Sequence, residues 1–436
     1  MKIAYFSPLN PLKSGISDYS EFLLPYLSRY SEIDLWVDGF KPDNPALKRY
    51  KVIDHARNRN ARKKLSDYDA IIYNLGNNPH FHAAIYDVFL EYPGFVILHD
   101  FVLYYLVTGY YLDYRKDVKA YVEELYYNYG DEGIRAGREI LGGDSPPLQH
   151  KHPETLPLVR RVLDKAKGII VHSEYAREKL LEVGSPNSRV AHINQVNYNN
   201  GGKTSLEEVR AIRAKYRVGD ANPFVASFGY IAPTKRNYQV IQATGEVAID
   251  SGLELSYLMV GEGDYVDACL NERIRKTGYI PLPEFERLLD TADIVVNLRY
   301  PSMGETSATV LRAMAASKAC IVSDDAWFSE LPDDAVVKIP VDERAEKPAL
   351  KNAIIRLATH PELRTELGRK ARDYVLAKHD GDTIAREVSA FLSKDLLGSH
   401  TGKYLESLAE RLLAIGLTEH NEAYLRVLAE RLVRVL

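Results

Sequence analysis

The stretch ADIVVNLRYPSMGETSATVLRAMAASKACIVSD, residues 292–324, holds a strand, a turn, a helix and a second strand in succession. Ile294–Leu298 is an apolar run short enough for a buried strand. Pro301 to Gly304 form a turn. Glu305, Thr306 and Ser307 then open a helix whose apolar residues, Val310, Leu311 and Met314, fall on one face. Ala319–Ser323 is again a short apolar strand. Short strands alternating with helices build a parallel sheet, and ligands of such sheets gather beyond the carboxyl ends of the strands. Arg299–Ser317 begins at such an end. A helix N-terminus there presents N–H groups to an anion. Glu305 beside an anion site is an unfavourable placement unless it binds something, such as sugar hydroxyls. The plainer alternative makes Ser302 or Thr306 a cap and Glu305 a first-turn partner of the helix dipole.

Outward from this unit the same rhythm recurs. Lys2–Pro8, Ile33–Val37, Ala70–Leu75, Phe95–His99, Gly168–His172 and Val190–Ile193 read as strands of a first sheet, with helices such as Tyr19–Arg29 and Glu174–Glu182 between them. Ser17 and Ser173 are candidate caps. Asn197–Lys203, NYNNGGK, has the composition of a linker. Phe224–Gly229, Leu255–Val260, Arg275–Ile280, Ile294–Leu298, Ala319–Ser323 and Val336–Ile339 then form a second set. The expected fold is α/β, with two facing Rossmann-like domains at 1–200 and 201–380. A helix over 381–397 crosses back to the first domain. The tail, 398–436, repeats YLESLAERLL (Tyr404–Leu413) as YLRVLAERLV (Tyr424–Val433) around Gly416, which predicts a helical hairpin extension that packs on its own chain or joins a homo-oligomer.

Composition narrows the class of function. A chain of 436 residues is too long for one ordinary core. A formal net charge of −4 gives no overall bias towards nucleic acid. Two cysteines, Cys269 and Cys320, make neither a disulfide framework nor a cysteine-rich zinc site and suit a reducing cytoplasm. No apolar run is long enough to span a membrane. The basic run Lys48–Lys64 is either a solvated face or a contact for anionic lipid, which would place the protein peripherally at the inner face of the membrane. Asp67-Tyr68-Asp69 precedes a strand, at the wrong sheet edge for a metal site, so no metal is expected.

Other strand ends carry candidate chemistry. SPLNPLKSGISDYS, Ser7–Ser20, places Gly15 in a loop that opens a helix; it is not the GxGxxG of a nicotinamide site. Asn77 follows the third strand, and His99-Asp100 ends the fourth. In the second half, Lys235 and Arg236 precede a helix after Gly229, and two cations there suit a diphosphate. VGEGDY (Val260–Tyr265, with Gly261) and TGYIP (Thr277–Pro281, with Tyr279 and Ile280) follow later strands, where backbone groups can read a base.

In series these motifs resemble the retaining glycosyltransferases of family four, with the GT-B fold, over roughly residues 1–395. The resemblance rests on the loop near Gly15, LHD at Leu98–Asp100, VHSEYAREKL at Val171–Leu180, GYIAPTKR at Gly229–Arg236, VGEGDY, GYIPLPEFERLLDTADIVV, and GETSATVLRAMAAS followed by IVSD. It implies that Gly15 touches donor phosphate, that His99 lies near the transferred sugar, and that Lys235 is the lysine of an Arg-x4-Lys diphosphate pair. Glu305 is then the first glutamate of a Glu-x7-Glu motif that holds sugar hydroxyls. The catalytic set is thus His99, Glu305 and Lys235. Gly15, Arg236, Gly229, Gly261, Tyr279, Ile280, Gly304, Thr306 and Ser307 bind donor, and Asp100, Asn77 and Tyr104 lie on the acceptor side. Two departures stand out. The pair's arginine falls at Tyr230, so that Arg236 substitutes. The second glutamate falls at Arg312, one residue closer than the motif requires, so an ungapped match puts Gly304 in the first glutamate's place.

The resulting expectation is metal-independent, retaining transfer from a UDP- or GDP-sugar, without cofactor, to a glycan, lipid-linked or small-molecule acceptor, as in polysaccharide biosynthesis. A sugar-nucleotide epimerase or phosphorylase of the same fold, and a non-catalytic sugar-nucleotide-binding protein, are the alternatives.

Overall fold

The computed structural model describes residues 1–57, 59–184, 189–198, 204–219 and 223–394. The repeated tail lies outside the described residues, as does most of the linker stretch. The first sheet comprises β1 (Lys2–Phe6), β2 (Glu32–Val37), β3 (Lys51–Asp54), β4 (Ala70–Leu75), β5 (Phe95–Leu98), β6 (Gly168–Val171) and β7 (Val190–His192), in the order β3-β2-β1-β4-β5-β6-β7. The second comprises β8 (Phe224–Phe228), β9 (Ser256–Val260), β10 (Ile274–Lys276), β11 (Ile294–Asn297), β12 (Ala319–Ser323) and β13 (Val337–Ile339), in the order β10-β9-β8-β11-β12-β13. Every pairing is parallel.

The apolar runs form strands because helices cover both faces of each sheet, so inward and outward positions alike are buried. β5, β6, β8, β9, β11 and β12 are buried at every residue. The edge strands β3, β7, β10 and β13 are less buried, and β3 is the most open, with Lys51 and Val52 exposed. Its residues, KVID, lack an apolar pattern, and it lay hidden within the basic run.

In each sheet the order in which successive strands are added reverses once. β1 pairs with β4 on one side and β2 on the other, and β8 likewise divides β9 from β11. The loops leaving β1, β4, β8 and β11 therefore open at the two switch points, where a crevice forms. The helix after β1 runs from Gly15 to Leu27 and is capped by Ser14, whose side chain accepts from Ile16 N–H. Ser17, the expected cap, lies inside the helix and donates to the Leu12 carbonyl at 2.8 Å. Ser173 does cap its helix, accepting from Ala176 N–H at 3.1 Å.

A single packed cluster runs from the first sheet through Ile193, Val196 and Tyr198 into the second. A last helical stretch, 381–394, leans on the first domain: Phe391 packs against Phe95 with ring centroids 6.0 Å apart, and Arg29 pairs with Asp382 at 3.0 Å. Gly168 makes room for it, since a Cβ there would stand 2.9 Å from the Phe391 ring. Leu392 is fully buried in this seam. Leu392→Ala should lower the free energy of unfolding by about 2–5 kcal/mol, read from urea denaturation; an unchanged midpoint would show that the helix adds nothing to the core.

Candidate active site

The loops after β5 and β11 touch across the crevice. Val102 N–H donates to the Met303 carbonyl at 2.9 Å, which joins the two domains backbone to backbone. Gly304 makes this approach possible. Its φ is +77°, and a Cβ would stand 2.4 Å from the Phe101 Cβ, so both backbone strain and contact exclude a side chain there. The consequence is that Asp100 of the first domain is brought against Glu305 of the second.

Glu305 is held on both oxygens. Arg299 Nε lies 2.7 Å from Oε1, with each side chain about 15% exposed, although the Nε–H is not aligned for a hydrogen bond. Oε2 accepts from Met303 N–H at 2.7 Å and from the Ser302 hydroxyl at 3.2 Å. Burial pushes this carboxyl up, but Arg299, backbone N–H groups and Lys235 outweigh burial and hold it below its ordinary range. The helix itself starts later than expected, over Ala308–Ala315, with Ser307 as its cap accepting from Val310 N–H at 3.3 Å. Glu305 and Thr306 therefore stand in the preceding loop and are not first-turn residues.

Lys235 ends a short 3-10 turn, Pro233–Lys235. Tyr300 N–H donates to the Thr234 carbonyl at 2.9 Å, which ties this turn to the β11 loop. The ammonium lies beside Gly229, 3.7 Å from where a Cβ would be. Burial, then the charge of Arg299, lower its pKa to about 7, with Glu305 acting in the opposite sense. Gly229 and Gly261 pack backbone on backbone, because a Cβ on Gly261 would meet the Gly229 carbonyl oxygen at 2.0 Å.

Arg236 requires a correction. Its guanidinium makes a two-point pair with Glu346, Nε to Oε1 at 2.8 Å and Nη2 to Oε2. Glu346 is buried, so this cation is already neutralised within the second domain. The second cation beside Lys235 is Arg299. Sequence reasoning passed over it, although an arginine directly beyond a buried strand was the signal.

Arg312 also has a different part. It is buried, reaches Asp18 Oδ2 on the first domain at 2.9 Å and Glu286 at 3.4 Å, and stacks over the Tyr198 ring at 4.7 Å. A second cross-domain contact places Lys13 Nζ 3.6 Å from the Tyr279 ring centroid.

On the first domain, Gly15 opens its helix with empty space where a side chain would stand. His99 bonds Asn74 Oδ1 at 3.1 Å and packs against Tyr19 and His172. Burial, then His172 and His82, hold its pKa well below the ordinary value, so it is neutral. Asp100 is raised by burial and by Glu305, and accepts from Asn77 N–H at 2.8 Å. The Asn77 side chain accepts from Tyr105 and Leu106 N–H and so shapes the loop. Tyr104 does not face the crevice. It is fully buried and its hydroxyl donates to the Pro147 carbonyl at 2.8 Å.

The cavity beside Lys235, bounded by Gly229, Tyr230, Asn297 and Leu298, holds only about 10 Å³, room for one water. Asn297 Oδ1 and Thr306 Oγ1 are buried there or nearby without a hydrogen-bond partner. Two cations, a fixed carboxylate and unused polar atoms suit a ligand that combines a diphosphate with hydroxyl groups.

Comparison with known proteins bears on the fold and on the second domain. Residues 208–374, within the second domain, match the family model described as Glycosyl transferases group 1. HepE from Anabaena, solved in complex with UDP-glucose, superposes with a TM-score of 0.61 at 15% identity, over 90% of this chain and 100% of that one. Sucrose-phosphate synthase from Thermosynechococcus elongatus gives 0.57 at 17% identity, over 92% and 100%. WaaG, a glycosyltransferase involved in lipopolysaccharide biosynthesis, gives 0.57 at 13%, over 89% and 99%. No curated protein matches the chain in sequence. The likeness to solved structures is one of fold, the GT-B fold, and within it residues 208–374 form a Glycosyl transferases group 1 domain.

Proposed function

We propose that the protein transfers a sugar from a nucleoside-diphosphate sugar, with retention at the anomeric carbon and without a metal. The observation that carries this reading is the cluster of Lys235, Arg299 and Glu305 at the carboxyl ends of β8 and β11, closed over by Asp100. Because HepE binds UDP-glucose, a UDP-sugar is the favoured donor over a GDP-sugar.

The chemistry follows from charge. As the bond between the anomeric carbon and the phosphate oxygen breaks, negative charge grows on the departing diphosphate. Lys235 and Arg299 stand where they can neutralise it, in a largely buried site, which makes such stabilisation strong. Two fixed cations supply the neutralisation a metal would otherwise give. Glu305 has both oxygens occupied but keeps lone pairs to accept from sugar hydroxyls. In retaining transfer the acceptor hydroxyl attacks from the face the diphosphate leaves, and its proton passes to the leaving phosphate. His99, neutral and buried, lines the floor rather than taking that proton.

The acceptor in this reading is a glycan, a lipid-linked sugar or a small molecule on the first domain, and the setting is cytoplasmic. Among the described residues no helix is long and apolar enough to cross a membrane. A peripheral contact with anionic lipid would rest on exposed Lys48, Lys63 and Lys64, because Lys51, Arg57 and Arg62 pair with Asp34, Asp54 and Asp87.

Glu305→Gln, Lys235→Ala and Arg299→Ala should each lower transfer from UDP-glucose by about 100-fold or more while the fold survives, and a chelator should leave the wild-type rate unchanged. Product analysis of that assay separates transfer from epimerisation or phosphorolysis. Full activity in any of the variants removes that residue from the mechanism.

Lys235 also sets a pH dependence. Its folded pKa of about 7 lies below the unfolded value, so the unfolded chain binds more protons between pH 7 and about 10 and this residue's contribution to stability rises across that window. A bound diphosphate needs the protonated form. UDP affinity should therefore fall with rising pH above 7, by up to about tenfold per unit, and Lys235→Arg should flatten the profile. Calorimetric titration at several pH values checks this; a slope unchanged in Lys235→Arg assigns the proton elsewhere.

A further inference from the structure

A second recess lies on the far side of the first domain. It is an open groove of about 900 Å³ between the turn at Asn60–Lys63, the carboxyl half of the helix Pro79–Glu91 and the segment Tyr110–Arg115. That helix starts at the crevice edge, after β4, and rises about 1.5 Å per residue. Asp87 and Tyr92 therefore stand roughly 12 and 20 Å from that edge, so the groove is distinct from the donor site.

Its lining argues for one kind of ligand. Arg62 pairs with Asp87 at 3.1 Å and Glu91 at 3.4 Å, Arg115 pairs with Asp87 at 3.3 Å, and the Tyr110 hydroxyl donates to Asp87 at 3.0 Å. Arg62, Arg115, Asp87 and Glu91 are committed to one another and Lys63 is the one further cation of the lining, so the groove is no dedicated anion site. An apolar ligand would cover these polar groups without satisfying them, at a cost. Aromatic faces border the same groups. Tyr114, 47% exposed, stacks on the buried Tyr110 with centroids 5.8 Å apart, and Tyr92 adds a second ring to the lining. Planar polar groups held in place beside tyrosine faces meet the two needs of a sugar: hydroxyls that want oriented partners and a flat C–H face that wants an aromatic ring. The volume lies within the range of small-ligand sites.

We propose that this groove binds a neutral oligosaccharide, separate from the donor crevice. For an enzyme that builds glycans, such a site would hold the acceptor chain while its end is extended. That use rests on the transfer reading above, but the binding itself does not.

The test is a printed array of neutral and anionic oligosaccharides, probed with the full chain, followed by titration of the strongest neutral binder. The neutral compound should bind equally well to wild type and to Glu305→Gln, and with saturating UDP present. Tyr114→Ala and Tyr92→Ala, with melting temperature confirming that each folds, should each weaken it tenfold or more. Binding of anionic compounds alone, binding that survives both tyrosine changes, loss with Glu305→Gln or UDP, or no binding at all would each overturn the proposal. None of these outcomes depends on whether UDP-glucose is turned over, so failure here and failure of the transfer reading are told apart.

Discussion

A carboxylate enclosed between two domains is tolerated only when opposite charge lies beside it. Glu305 meets that condition through Arg299 at 2.7 Å and the nearby ammonium of Lys235. All three lie on the second domain, on loops joined by the bond from Tyr300 N–H to the Thr234 carbonyl. The first domain adds Asp100, a second carboxyl, which is raised by burial and by Glu305. An anionic diphosphate would draw on Lys235 and Arg299, and the sugar hydroxyls would engage Glu305.

Other contacts hold the domains together around this centre. Val102 and Met303 bond backbone to backbone, Gly304 lies on Phe101, Arg312 reaches Asp18, and Glu330 accepts from the N–H groups of Glu174 and Tyr175 at the start of a first-domain helix. Arg312 is the informative member. The resemblance to family four places the second glutamate of its motif there, and the arginine in its stead binds the protein's own carboxylates.

Much of the fold was legible because buried parallel strands are written as short apolar runs. Ala70–Leu75 and Ala319–Ser323 coincide with their strands to the residue. β3 escaped because an edge strand need not be apolar on either face. The site was legible in part. Lys235 and Glu305 follow from strand ends and helix starts, which are local features. The partners of Arg236 and Arg312 are not local: Glu346 and Asp18 lie 110 and 294 residues away, and no spacing rule joins them. Arg299 follows β11 and Lys235 follows β8, so their proximity depends on the pairing of two strands far apart in the chain. Tyr104 was misplaced for a simpler reason. A tyrosine near a crevice suits a sugar, but this one spends its hydroxyl on Pro147 inside the core.

The central claim is that Lys235 and Arg299 receive the donor's diphosphate while Glu305 receives its sugar. A crystal structure with UDP-glucose tests it most directly. The account predicts phosphate oxygens within ion-pair reach of both cations, Glu305 on the glucose hydroxyls, and the Arg236–Glu346 pair intact. Phosphates seated on Arg236, or a nucleotide bound away from the ends of β8 and β11, would contradict it.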